Sequence, residues 1–199
     1  MHKRGIMVLL LILLTAPGLF TSGCEPEDIE KPVTMSWGIP DDITAFENLQ
    51  REPEGLEVEH LDENTLQVTW EAGENYILPI IATSDRELPG VRYQGRGIPE
   101  NLDLEWLDPR EKVWFPVEEL PEERVKAVID HENDYATVDF GPPAGADFDE
   151  GMTRFIWFRI TPAEADQFEF EIFGYQMEEG EPEEARISNI IILQAEVIE

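Results

Sequence analysis

The chain has 199 residues, with 14 Lys and Arg against 44 Asp and Glu and a formal net charge of −30. A surface this acidic repels phosphate backbones and anionic headgroups, which excludes electrostatic binding of nucleic acid. The hydrophobic share of 42% and aromatic share of 10% are those of a chain able to build a core, and the length suits one domain.

Lys3 and Arg4 precede an apolar run from Ile6 to Leu14, followed by small residues up to Cys24. This is the layout of a secretory signal over 1–23, and the run falls short of the ~20 residues that span a bilayer. Cys24 is the sole cysteine, so no disulfide forms within the chain. The stretch Leu19-Phe20-Thr21-Ser22-Gly23-Cys24 resembles the lipobox of bacterial lipoproteins, although Thr21 stands where that family prefers leucine. The resemblance implies cleavage before Cys24, lipid attachment to its sulfur, and a membrane partner reached through that lipid.

Residues 24–53 begin with acids and prolines and no sustained apolar period, which predicts a solvated tether that docks in part through Trp37, Ile39, Ile43, Phe46 and Leu49. From residue 54 to 199 the period becomes two. Leu56, Val58 and His60 alternate with Glu57 and Glu59, which predicts a strand with its apolar side turned inward. Leu66, Val68 and Trp70 repeat the pattern, as do Leu102, Leu104 and Trp106, then Ala136, Val138 and Phe140. Phe155, Trp157 and Arg159 oppose Ile156, Phe158 and Ile160, and Phe168, Phe170 and Ile172 alternate with Glu169 and Glu171. The segments 76–82 and 187–197 are further strands. Turn signals separate them, among them Leu88-Pro89-Gly90, Gly95-Arg96-Gly97 and Gly141-Pro142-Pro143. One short helix is expected near 121–129, with Pro121 in its first turn and Glu122 and Glu123 at the positive end of its dipole. Many short strands with frequent turns predict an all-β antiparallel sandwich.

The order Tyr76–Ile80, Leu102–Asp108, Phe140-Gly141-Pro142-Pro143, Thr153–Ile160 and Phe168–Ile172 resembles immunoglobulin-like β-sandwich modules of bacterial cell-surface proteins. That resemblance implies display, adhesion or spacing at the cell surface, without catalytic residues. The inventory for catalysis is correspondingly thin. After residue 23 the histidines are His60 and His131 and the serines are Ser36, Ser84 and Ser188, with no nucleophile elbow, H-E-x-x-H or C-x-x-C. His60 continues an inward face, and His131 between Asp130 and Glu132 reads as a solvated loop residue.

The expected role is therefore non-enzymatic binding, adhesion or structure at the cell envelope, with an envelope protein or polysaccharide as partner. Two alternatives stand beside it. Asp147, Asp149 and Glu150 offer hard oxygen ligands suited to calcium, although without EF-hand spacing. Trp37 and Trp114 offer ring faces on which sugars could stack. A third, an accessory glycoside hydrolase, needs a spaced carboxylate pair that 44 acids supply by chance. The bland account of the acidity is a salt-screened surface, since at ~1 M salt the screening length is about 3 Å. Phe173 interrupts the polar side set by Glu169 and Glu171, which marks either a partner contact or a sheet edge under a loop.

Overall fold

The computed structural model describes residues 31–38, 55–99, 101–108, 113–117, 128–132, 135–142, 144–177, 182 and 184–199. These lie within the unit Lys31–Glu199. The strands are β1 (Val33–Trp37), β2 (Glu57–His60), β3 (Thr65–Glu71), β4 (Tyr76–Ser84), β5 (Leu88–Pro99), β6 (Leu102–Asp108) and β7 (Val113–Pro116), then β8 (Val128–Glu132), β9 (Tyr135–Phe140), β10 (Ala146–Phe148), β11 (Thr153–Pro162), β12 (Gln167–Gln176) and β13 (Arg186–Ile198).

They form two layers. Sheet A has the order β7-β6-β11-β4-β1, and sheet B has the order β2-β3-β13-β12-β5-β9-β8 with β10 beside β5. Alternation puts Leu78, Ile80, Phe158 and Ile160 of sheet A against Phe140, Phe170, Ile172 and Leu193 of sheet B, all buried. The Phe140 and Phe158 rings meet edge to face across the layers at a centroid distance of 5.0 Å. The chain is thus the all-β sandwich that its period-two pattern predicts. An apolar gap of about 10 Å³ among these side chains is core and too small for a ligand.

Pairing is antiparallel except at β13, which runs parallel to β3 over seven positions and to β1 at Val33 and Ser188. Parallel neighbours need long connections, and here nearly the whole domain lies between β3 and β13. Where β13 leaves β1 the Asn189 amide replaces the missing backbone ladder: its Oδ1 accepts from Met35 N at 2.6 Å and its Nδ2 donates to Met35 O at 2.9 Å. Trp37 Nε1 donates to the carbonyls of Asn64 and Ile192, closing the same seam.

Several sequence expectations change. β1 falls within the segment expected as a partly docked tether; Val33, Met35 and Trp37 are buried, and the docked part is a strand between β4 and β13. Gly95-Arg96-Gly97 reads as a turn but belongs to the twelve-residue β5. The ladder there shifts register between Gly95 and Ile98, and Gly97 takes φ 74°, so the segment is a bulge within a strand. Val128 and Ile129, expected in a helix, are in β8, and residues 121–127 lie outside the described residues. His131 is likewise in β8 and not in a loop. Leu56, Val58 and His60, expected to face a core, are exposed, and among the described residues β2 is the terminal strand of sheet B.

Candidate functional site

Sheet B carries its polar residues outward in register. Antiparallel pairing sets Glu59 opposite Gln67 and Glu57 opposite Thr69, parallel pairing sets Gln67 beside Gln194 and Thr69 beside Glu196, and β12 adds Glu169 and Gln167. Two rows result across four strands: Glu59–Gln67–Gln194–Glu169 and Glu57–Thr69–Glu196–Gln167. Within a row the side chains interact as cross-strand neighbours do, and Gln194 Nε2 donates to Glu169 Oε2 at 2.8 Å. No Lys or Arg occurs in β2, β3, β12 or residues 192–198. The first cation across the sheet is Arg96 of β5, which lies over the Phe173 ring at 4.7 Å and donates to Gln94.

Beyond Arg96 the outer face closes over a second small core. Phe173, Tyr175 and Ala185 are buried together with Ile190 against them. Phe173 is therefore buried against side chains of its own chain instead of standing free for a partner contact, and β12 lies between β13 and β5, not at a sheet edge. A bulge between Phe173 and Tyr175 turns the Gly174 N–H out of the ladder, and the Ser188 hydroxyl accepts it at 2.7 Å. Next to this cluster the Arg92 guanidinium pairs with Asp139 at 2.9 Å, and the Tyr175 hydroxyl donates to the other Asp139 carboxylate oxygen. Arg92 is buried, so this network sits where solvent screening is weak.

Burial pushes the phenol pKa of Tyr93 up, and burial with the Asp139 hydrogen bond and charge does the same for Tyr175. Both stay protonated in the folded chain while unfolded tyrosines ionise near about pH 10. The unfolded state then holds fewer protons, so their contribution is intact below about pH 10 and declines above it by about 1.4 kcal/mol per pH unit for each buried tyrosine. Unfolding midpoints taken between about pH 8 and about pH 11 should drop steeply at the alkaline end, and less steeply for Tyr175→Phe. Equal slopes in the two proteins would contradict this assignment.

The residues singled out in the sequence are dispersed. Trp37 is 6% exposed, its ring in the core and its N–H engaged, so it offers no face to a sugar. Trp114 lies on β7 beneath the Arg159 guanidinium, 5.0 Å from the ring centroid, and Arg159 in turn pairs with Glu105. β6, β11 and β4 separate β7 from β1, so the two tryptophans form no common platform. Asp147 accepts from Gly90 N at 3.2 Å, and its carbonyl accepts from Arg154, whose guanidinium covers the Phe148 ring. Asp149 is in the turn that its carbonyl closes with Met152 N. Among the described residues no three Asp, Glu, His or Cys side chains converge as a metal site. Cys24 lies outside the described residues. Among the described residues no helix is long and apolar enough to cross a membrane.

The site that sequence reasoning missed is the ordered face of sheet B. The alternating Glu and Gln of each strand were visible, but the rows depend on the parallel register of β3 and β13, which no local pattern encodes.

No protein-family model and no curated protein matches the chain. Solved structures do. A family 123 glycoside hydrolase from Clostridium perfringens is similar at 13% identity and TM-score 0.43, over 84% of this chain and 27% of that one. The chain therefore spans about a quarter of that protein's length. The CARDB domain of a Pyrococcus furiosus protein is similar at 6% identity and TM-score 0.37, over 84% of this chain and 95% of that one. The collagen-binding subdomain of the Enterococcus faecalis surface protein ACE is similar at 11% identity and TM-score 0.33, over 67% and 94%. Likeness at this level identifies neither a ligand nor an activity.

Proposed function

We propose that the chain is an exported, non-enzymatic binding module of a bacterial cell envelope, held at the membrane by lipid on Cys24. Its working surface is the outer face of sheet B, and its partner is cationic. The observation that supports this reading is the pair of in-register rows of Glu, Gln and Thr on one sheet face, with no Lys or Arg in β2, β3, β12 or residues 192–198. Side chains fixed on strands meet a partner with little ordering cost, and a face of one sign favours encounter with the opposite sign. The lipid assignment rests on the lipobox-like stretch ending at Cys24.

Expression of the full chain in a bacterium that processes lipoproteins tests the anchor. Mass spectrometry is expected to find residues 1–23 removed and an acylated Cys24 at the new N-terminus, and Cys24→Ala is expected to move the protein out of the membrane fraction. Cleavage elsewhere, with an unmodified thiol, would refute it.

A further inference from the structure

We propose that the free edge of β2 accepts an extended segment of a partner polypeptide as one more strand of sheet B, and that the accepted segment alternates cationic and apolar side chains. This deepens the binding reading by naming the partner's chemistry, and it does not require the lipid on Cys24.

Among the described residues β2 pairs with β3 alone. The Leu61 N–H donates to the Thr65 carbonyl across the turn, at a pair two steps from Glu59 and Gln67 in the same register. Antiparallel alternation then makes Glu59 and Glu57 the residues bonded to β3, and turns the N–H and C=O of Val58 and His60 away from it. Those groups are the template an added strand requires.

The edge is held in place beforehand. At one end Asp62 Oδ1 accepts from the N–H groups of Asn64 and Thr65 at 2.7 and 2.8 Å, and Oδ2 accepts from the Thr65 hydroxyl. At the other end the Leu56 N–H donates to the Thr69 carbonyl at 2.8 Å. An incoming segment therefore meets a formed strand.

The two sides of the edge ask for different side chains. Val58 lies opposite Val68, which is in the core, yet Val58 itself is 41% exposed and Leu56 54%, because β2 extends one strand beyond its apolar cover. Apolar side chains of an added strand would complete that layer. On the other side Glu57 and Glu59 begin the two acidic rows, and among the described residues no Lys or Arg stands in register with them on β2, β3 or residues 192–198, so the intervening side chains should be Lys or Arg. A second copy of this chain fits poorly, since its own β2 would bring Glu57 and Glu59 against like charge on a molecule of net charge −30.

The purified full chain in detergent micelles, titrated with a fluorescent peptide of alternating Lys and Val, tests this by anisotropy together with amide hydrogen exchange. Saturable binding is expected, with slowed exchange at Val58 and His60. A peptide of the same composition with its Lys and Val in separate blocks, and one N-methylated along its pairing edge, should each bind at least tenfold more weakly. Val58→Pro, which removes an N–H that β3 does not use, should abolish the effect, and Glu59→Lys, which leaves the backbone intact, should weaken binding by a similar factor. Equal affinity for the blocked and alternating peptides would overturn the proposal, as non-specific attraction to acid. Val58 and His60 amides already protected in the free chain would also overturn it, since another segment or a second copy would then occupy the edge. An unprocessed Cys24 would remove the anchor and leave these readings unchanged, so the two failures are distinguishable.

Discussion

Replacing Trp70 with Ala is expected to remove about 3–5 kcal/mol of stability, the range for deleting a large aromatic from a packed interior. Trp70 is 0% exposed; its ring stacks on Tyr76 at a centroid distance of 5.0 Å and tilts against Phe168 at 6.1 Å. It thus joins β3, β4 and β12, strands drawn from both layers, and Tyr76 is itself fixed because its hydroxyl accepts the Glu71 N–H. With both of these neighbours held on strands of separate ladders, the space left by the indole cannot close. For a domain of this size each kcal/mol corresponds to roughly 2–4 °C, so the thermal midpoint should fall by roughly 6–20 °C. Trp114→Ala is the matched control. The residue is partly exposed, and the Arg159 guanidinium over its ring is worth about 0.5–1 kcal/mol at such a site. Equal losses in the two variants, measured by thermal or denaturant unfolding, would disprove the central place given to Trp70.

Asp139→Ala should be the next most damaging change, at about 2–4 kcal/mol. The carboxylate serves two groups at once, the Arg92 guanidinium and the Tyr175 hydroxyl, and the Arg92 side chain is only 5% exposed. Removing it withdraws a countercharge from a buried cation, which costs more than the pair contributes. The lower part of the range applies because Asp139 keeps 22% exposure and water can reach its place. Asp139→Asn, which keeps the acceptor and loses the charge, should fall between the variant and the parent. Crossing Asp139→Ala with Tyr175→Phe should give a coupling of about 0.5–2 kcal/mol by denaturant unfolding; strict additivity would show that the hydroxyl and carboxylate do not act together.

A tight turn contact belongs with these packing features. Gly145 takes φ 74°, and a Cβ there would overlap the backbone of Gly90, itself at φ 67°. Both glycines are visible in the sequence, but nothing local shows that they meet.

The sequence determined the class of structure on its own, because burying one side of a strand demands alternation, and Leu66–Trp70, Ala136–Phe140 and Phe168–Ile172 alternate without interruption. It also showed which strand faces are acidic. Tertiary structure decided the rest. A period of two gives a strand an inner side but no neighbour, so it could not tell that Leu56 and Val58 would lie beyond the edge of the core, or that Val33–Trp37 would lie inside it. Nor could it separate a glycine that ends a strand from one that bulges it, as at Gly97. Register between distant segments depends on which faces can be buried together, and the parallel alignment of β3 with β13 is such a choice. That alignment joins β2 and β3 to β12 and β13, sets eight polar side chains in two rows and, among the described residues, leaves β2 at the edge, so the features that bear on binding depend on one pairing between residues more than a hundred positions apart.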